Sequence, residues 1–332
     1  MDKFISVVIP NYNGSKTVGK CLEAVLSSKY DRYEVIVVDD KSSDNSVEII
    51  NSFPCRLIKL AKHAGAAKAR NTGVRESAGE IIFFIDADCI VSGDTLSLVH
   101  KAIKGQKNTV IGGSYTPLPY DNNFFSIFQS IFINYSELKQ KKPDYIATHS
   151  MAIEKSIFEK NNGFSEKFLP VLEDVEFSHR LRRSGHQLLM EPDILVRHIF
   201  NFTFWKSLKN AFRKSRYWTM YSLGNRDVFR DSGTASQGLK VNVLSNFLIM
   251  LFLLLYFFMP SRIFLVLLLM ISGINLYLNR NLLRAFYRTK GALFAIPASL
   301  YYMLIYPLAA GAGSFIGMMQ YFRNSCRVKD QG

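Results

Sequence analysis

The sequence predicts an α/β domain, a mostly parallel sheet flanked by helices, followed by an α-helical membrane region, and three observations carry this. Apolar runs alternate with amphipathic stretches along the first part of the chain, the pattern that builds parallel sheets covered by helices. Two of those runs end in paired acids, Asp39-Asp40 and Asp86-Ala87-Asp88. From Val241 onward the composition changes, with charge-free stretches at 241–261, 263–279 and 291–322. The expected organisation is a soluble domain over 1–200, an amphipathic helix and linker over 201–240, a membrane region over 241–322 with two to three spans, and a basic tail over 323–332.

Phe4-Ile5-Ser6-Val7-Val8-Ile9 is a β-branched run closed by Pro10, and Asn11-Tyr12-Asn13-Gly14 supplies a turn. Val18, Cys21, Leu22, Val25 and Leu26 then share one face of a helix. Tyr33 to Val38 is the next strand, and Ser43 or Asp44 can cap a short helix through Ile50. Cys55 to Leu60 reads as a third strand, Ala64 to Glu76 as a small-residue helix, and Glu80 to Asp86 as a fourth strand. Beyond it a helix is expected over 94–105, a strand over Thr109 to Tyr115, and an apolar helix from Phe124 to Leu138. Its aromatics Phe124, Phe125, Phe128 and Phe132 suit core or membrane-facing surface better than a sugar platform. Gly163-Phe164 marks a turn, and Leu172 to Gly185 is helical with Glu173 and Asp174 at its opening, near the positive helix end.

In this arrangement the acids at Asp39-Asp40 and Asp86/Asp88 share one edge of the sheet, outside the carboxyl ends of strands, where open α/β sheets bind ligands. Ile81 to Ile85 reads as a strand buried on both faces. The hard oxygen donors that follow it suit Mg²⁺ or Mn²⁺. No Walker motif and no Gly-x-Gly-x-x-Gly follows the first strand, so neither a P-loop nor a dinucleotide fingerprint is present. A diphosphate would instead be neutralised by the divalent ion.

The net charge of +14 is not accompanied by a groove-reading motif, so no nucleic-acid partner is expected. Lipid headgroups and a phosphate-bearing substrate account for it. Cys21, Cys55, Cys89 and Cys326 show no paired metal-ligand spacing. Met1-Asp2-Lys3 leads straight into a strand, so no signal peptide and a cytoplasmic soluble domain are expected. Basic residues from Lys206 to Lys240, and Arg280, Arg284, Arg288 and Lys290 between the second and third stretches, should face the cytoplasm, with Pro260-Ser261-Arg262 as the outer turn. Arg323, Arg327 and Lys329 create a conflict, because three crossings would place them outside. Either the last stretch, which can kink at Pro297 or Pro307, re-enters, or the rule fails for this tail.

Taken together, these pieces resemble the family-2 inverting glycosyltransferases of the nucleotide-diphospho-sugar (GT-A) fold. The motifs are Ser6 to Asn13, Val37 to Asp44, Ala69-Arg70-Asn71-Thr72-Gly73, Asp86-Ala87-Asp88, and Gly163-Phe164 with Glu173-Asp174, in the family's order over residues 4–200. The resemblance implies that Pro10 and Tyr12 border the nucleobase, Asp40 contacts base or ribose in preference to Asp39, and Arg70 approaches the base. It further implies that Asp88 binds Mg²⁺ or Mn²⁺, Asp86 holds the ribose or assists the metal, His198 adds a metal or diphosphate contact, and Asp174 is the general base. Processive members carry Gln-x-x-Arg-Trp; here Arg213 to Trp218 offers the Arg and Trp without the Gln or the spacing, which argues for a non-processive enzyme.

The expected function is therefore a metal-dependent glycosyltransferase, multi-pass in the cell inner membrane with its catalytic domain cytoplasmic. Its donor would be a nucleotide-diphospho-sugar and its acceptor a hydroxyl of a lipid-linked or envelope glycan. Transfer to polyprenyl phosphate and a catalytically silent membrane scaffold are the alternatives. Trp205 to Trp218, with its interleaved aromatic and basic residues, suits a helix in the membrane interface.

Overall fold

The computed structural model describes residues 2–166 and 171–329, and the chain forms two compact units. The first takes residues up to 122 together with 137–201; the second takes 123–136 and everything from 202 onward. The last three residues of the expected basic tail lie outside the described residues.

The first unit opens with the alternation that the hydrophobic pattern dictates: β1 (Ile5–Asn11), α1 (Val18–Leu26), β2 (Tyr33–Asp39), α2 (Ser46–Asn51), β3 (Arg56–Lys59), α3 (Ala66–Arg75) and β4 (Ile81–Phe84). β5 (Cys89–Val91), α4 (Thr95–Ile103), β6 (Thr109–Tyr115), α5 (Phe124–Leu138), β7 (Met151–Glu154), α6 (Lys155–Lys160), α7 (Glu173–Arg183) and β8 (Gln187–His198) follow. One eight-stranded sheet results, in the order β3-β2-β1-β4-β7-β6-β8-β5. β1 pairs in parallel with both β2 and β4, so the acidic ends of those two strands flank Asn11 on one edge, as their sequences require. The sheet is mixed beyond β4: β7 is antiparallel to β4 and β6, β8 is parallel to β6, and β5 is antiparallel to β8.

Two glycines let layers approach. A Cβ on Gly73 of α3 would collide with Val8 of β1, and one on Gly113 of β6 would collide with the Ile194 carbonyl of β8 and with Ser150. Gly113 sits where the β6–β8 register shifts, between Gly112 and Ser114.

In the second unit α5 up to Ser136 packs with α8 (Phe204–Asn225), α9 (Gln237–Phe258), α10 (Arg262–Lys290), α11 (Ala292–Leu300) and α12 (Tyr306–Lys329). Phe128 of α5 meets Phe286 and Tyr301 at ring distances of 5.4 and 4.9 Å, and Phe124 meets Phe294 at 5.2 Å, so this aromatic cluster is core. α9, α10 and the run 292–324 are each long and apolar enough to cross a membrane. The last run contains Pro297 and passes through a π-helical turn at Tyr301–Ile305 without reversing direction. A π turn loosens the helical hydrogen-bond ladder. Here the amides of Asn242 and Asn246 donate to the Tyr302 and Met303 carbonyls at 2.7 and 2.8 Å. Asn275 donates to Asn242, and the Tyr302 hydroxyl donates to Asn279, closing a buried polar network among apolar helices. Gly313 and Gly317 of α12 lie against the carbonyls of Phe212 and Arg216 of α8, a small-residue helix contact.

Gly113→Ala should lower the stability of the first unit by about 1–3 kcal/mol through overpacking against β8. The drop in its thermal unfolding midpoint, measured on the full chain, checks this.

Candidate active site

The site is organised by α3. Its small residues let it lie on the sheet, and its Arg70 is buried, with 4% of its surface exposed. The guanidinium donates through Nη2 to Asp86 Oδ1 at 2.6 Å and through Nη1 to Glu173 Oε1 at 2.8 Å. A buried cation is tolerable only when its charge and donors are matched, which is why the structure commits Arg70 to two acids. The neighbouring Asn71 exchanges hydrogen bonds with the Phe164 backbone, donating to its carbonyl at 2.8 Å and accepting from its amide at 2.9 Å. Gly163 there has a φ of +57°, a left-handed conformation that favours glycine.

At the end of β2 the two aspartates have different tasks. Asp39 accepts from Asn11 Nδ2 at 2.8 Å and from the Ser42 amide and hydroxyl at 3.0 and 2.6 Å, so it shapes the loop. Asp40 accepts from the amides of Ala64 and Gly65, each at 2.7 Å, and pairs with His63 Nδ1 at 2.9 Å. His63 in turn lies against Tyr12, ring centroids 4.2 Å apart, leaving Tyr12 half exposed at the rim. Pro10 is the penultimate residue of β1, paired with Val38.

Asp88 follows β4, and β5 turns back beside β8 so that Cys89 pairs with His198. His198 Nε2 thereby reaches Asp88 Oδ1 at 3.4 Å, while its ring stacks on Phe200 at 3.9 Å. Asp86 and Asp88 diverge electrostatically. Burial works to raise the Asp86 pKa, but Arg70 above all, with His149 and His198, holds it below the ordinary carboxylate value. Asp88 keeps two-fifths of its side chain exposed, yet desolvation and the Asp86 charge push its pKa up to about 7. Asp88, Cys89 and His198 could together hold a metal ion. The Asp88 carboxylate and the His198 imidazole are the oxygen and nitrogen donors of this group, with the Cys89 thiol buried beside them. That donor set, together with an acid destabilised as an anion, fits a divalent cation.

His149, which no sequence motif marked, is buried beside this cluster. It stacks on Tyr115 at 4.0 Å, and its Nε2 lies 3.4 Å from Glu137, which also accepts from the Ser114 hydroxyl at 2.7 Å. Burial lowers its pKa, but Glu137, then Asp86 and Asp174, reverse this and raise it. Asp174 sits in the first turn of α7, its Oδ1 accepting from the Val175 amide at 2.8 Å, and its charge acts on both Arg70 and His149. The structure thus brings Arg70, Asp86, Asp88, Glu173, Asp174 and His198 into one electrostatic group, with Asp40 and Tyr12 at the neighbouring strand end. His63, Glu137 and His149 were missed because each is an isolated residue whose partner is distant in sequence. A histidine a few residues before the small-residue helix was the one faint signal, for His63.

Residues 6–160 match the model of Glycosyl transferase family 2. That stretch of the chain is similar to a family 2 glycosyltransferase domain. It is 35% identical over 131 residues to glycosyltransferase GlyG of Streptococcus pneumoniae, covering 38% of this chain and 44% of that protein. With glycosyltransferase AglE of Haloferax volcanii it shares 28% identity over 239 residues, 68% of this chain and 78% of that one. A UDP-Glc:α-D-GlcNAc-diphosphoundecaprenol β-1,3-glucosyltransferase, WfgD of Escherichia coli, is 35% identical over 100 residues, 29% of this chain and 40% of that one. The fold is GT-A: the mannosyltransferase PcManGT of Pyrobaculum calidifontis superimposes with a TM-score of 0.58 at 17% identity, over 95% of this chain and 88% of that one. The family match reaches from β1 to α6 and so takes in both acidic strand ends, while α7 and His198 lie beyond it.

Arg70→Met should destabilise the domain by about 3 kcal/mol or more, because it strands two largely buried carboxylates; chemical denaturation of the full chain measures it. A pH effect is expected at Glu137. A histidine whose folded pKa is raised contributes stability that is fully present below its unfolded value and is lost as pH rises through the folded value. Glu137→Gln should therefore cost most in mildly acidic buffer and progressively less as pH rises, in denaturation series compared with the parent chain.

Proposed function

We propose that this chain is a membrane-anchored, inverting, non-processive glycosyltransferase. It moves a sugar from a nucleotide-diphospho-sugar to a hydroxyl of a lipid-linked or cell-envelope glycan, at the cytoplasmic face of the inner membrane. The observation that carries this reading is the convergence, through Arg70, of the acids after β4 with those opening α7. It pairs a cation-seeking carboxylate, Asp88, with a second acid, Asp174, in the same electrostatic group.

Tyr12 and Pro10 offer an apolar rim for the nucleobase, and Asp40, fixed by the Ala64 and Gly65 amides, offers an acceptor to base or ribose. Asp86, kept ionised by Arg70, is suited to a ribose hydroxyl. Asp88 and His198 would hold the divalent ion, Mg²⁺ or Mn²⁺, which when bound stabilises the negative charge that develops on the departing diphosphate. Asp174 takes the acceptor hydroxyl's proton as the oxygen attacks the anomeric carbon; the C–O bond forms as the bond to the diphosphate breaks on the opposite face, and configuration inverts. Glu173 stays bound to Arg70 and keeps the start of α7 in place. PcManGT, solved with GDP-Man and Mn²⁺, and WfgD, named for a diphosphoundecaprenol-linked sugar, support the donor and acceptor classes.

Asp88→Ala is expected to abolish metal-dependent donor binding. Asp174→Asn should leave donor affinity intact while lowering turnover by about 10²–10⁴-fold, the usual size of general-base catalysis. Calorimetry and product formation on the two variants separate these roles, and near-normal turnover of Asp174→Asn with a hydroxyl acceptor would remove it as the base.

A further inference from the structure

The run 292–324 qualifies as a membrane span by length and composition, but its partner within the second unit does not. α8 and α12 pack in parallel. The Tyr301 hydroxyl donates to Ser207 at 2.9 Å, Gly313 abuts the Phe212 carbonyl, Gly317 abuts the Arg216 carbonyl, and Arg216 Nε donates to Gln320 at 2.8 Å. Residues 301–320, the centre and far half of the candidate span, therefore share their depth with residues 207–216 of α8. That stretch carries Lys209, Arg213, Lys214 and Arg216. If the run crossed, these four cations would be drawn into hydrocarbon, where each is heavily penalised.

The contacts with α9 and α10 agree. The π turn engages Asn242 and Asn246 near the start of α9 and Asn279 late in α10, towards the ends that carry Lys240 and Arg280 to Lys290. At 33 residues and 1.5 Å per residue the run is about 50 Å long, well beyond the ~30 Å of a hydrocarbon core.

We propose that only α9 and α10 cross the bilayer. α8 and the run from 292 onward lie together in the membrane–water interface, on the side of the basic residues Arg280 to Lys290. The partner of this paired surface is the phosphate layer of lipid headgroups, met by the α8 cations, while exposed Trp205, Phe315 and Met319 enter the acyl boundary. Arg323, Arg327 and Lys329 then stay on the cytoplasmic side with the other basic residues, which removes the conflict that three crossings create. The arrangement does not depend on the glycosyl-transfer reading.

Three measurements on the full chain test it. Green fluorescent protein or alkaline phosphatase fused after Gly332 should give fluorescence and no phosphatase activity in bacterial cells, while Ser261→Cys reacts with an impermeant maleimide from outside. The chain's two tryptophans, Trp205 and Trp218, both lie on α8, so brominated lipids in proteoliposomes report its depth. Quenching should be several-fold stronger from bromines near the glycerol than from bromines at the acyl terminus. An active phosphatase at the tail, or stronger quenching from the acyl terminus, overturns the proposal.

Discussion

The first unit depends on one buried guanidinium. Arg70 bridges Asp86, just past β4, and Glu173, which opens α7 87 positions further on, so two distant parts of the chain meet across a single side chain. Three features of α3 put it there. Gly73 lets α3 touch β1, Asn71 ties the same helix to the Gly163-Phe164 turn, and the small residues Ala67 and Ala69 keep the helix close to the sheet. The ion triad also differentiates the acids around it: Asp86 is neutralised by Arg70 and remains an anion, while Asp88, desolvated and next to that anion, is pushed towards neutrality.

The second unit answers a different constraint. Helices that expose long apolar faces such as Leu253, Leu254, Phe257 and Leu269 gain no hydrophobic drive from pairing in lipid. Small residues and buried amides supply the specificity instead. Asn242 and Asn246 satisfy the carbonyls at the π turn, and Asn275 and Asn279 extend that network to α10. Aromatic residues of α5 fill the space beside Phe286 and Tyr301, which explains why a helix from the middle of the chain groups with the C-terminal helices.

Much of this was legible in the sequence where the signal was local and periodic. β1, α1, β2, β6 and α5 appear within a residue or two of their apolar patterns, and the two acidic strand ends fall on one sheet edge because β1 separates them in parallel register. β5 and β7 were not legible. Three and four residues long, they have no room for alternation, and their pairing with β8 and β4 is decided by tertiary contact. The antiparallel pairings of a sheet that is mostly parallel come from these two strands. At the site, motif residues were visible as residue types, but the commitment of Arg70 to carboxylates and the loop-shaping bonds of Asp39 follow from burial that no spacing encodes.

In the proposed reaction the acidic edge of the sheet binds a nucleotide-diphospho-sugar through a divalent ion. The most direct measurement is calorimetric titration of the purified full chain with UDP-, GDP- and dTDP-sugars, with and without Mn²⁺. One nucleotide class should bind, and only when the metal is present. Failure of all three to bind in both conditions would contradict it and leave a fold kept for scaffolding alone.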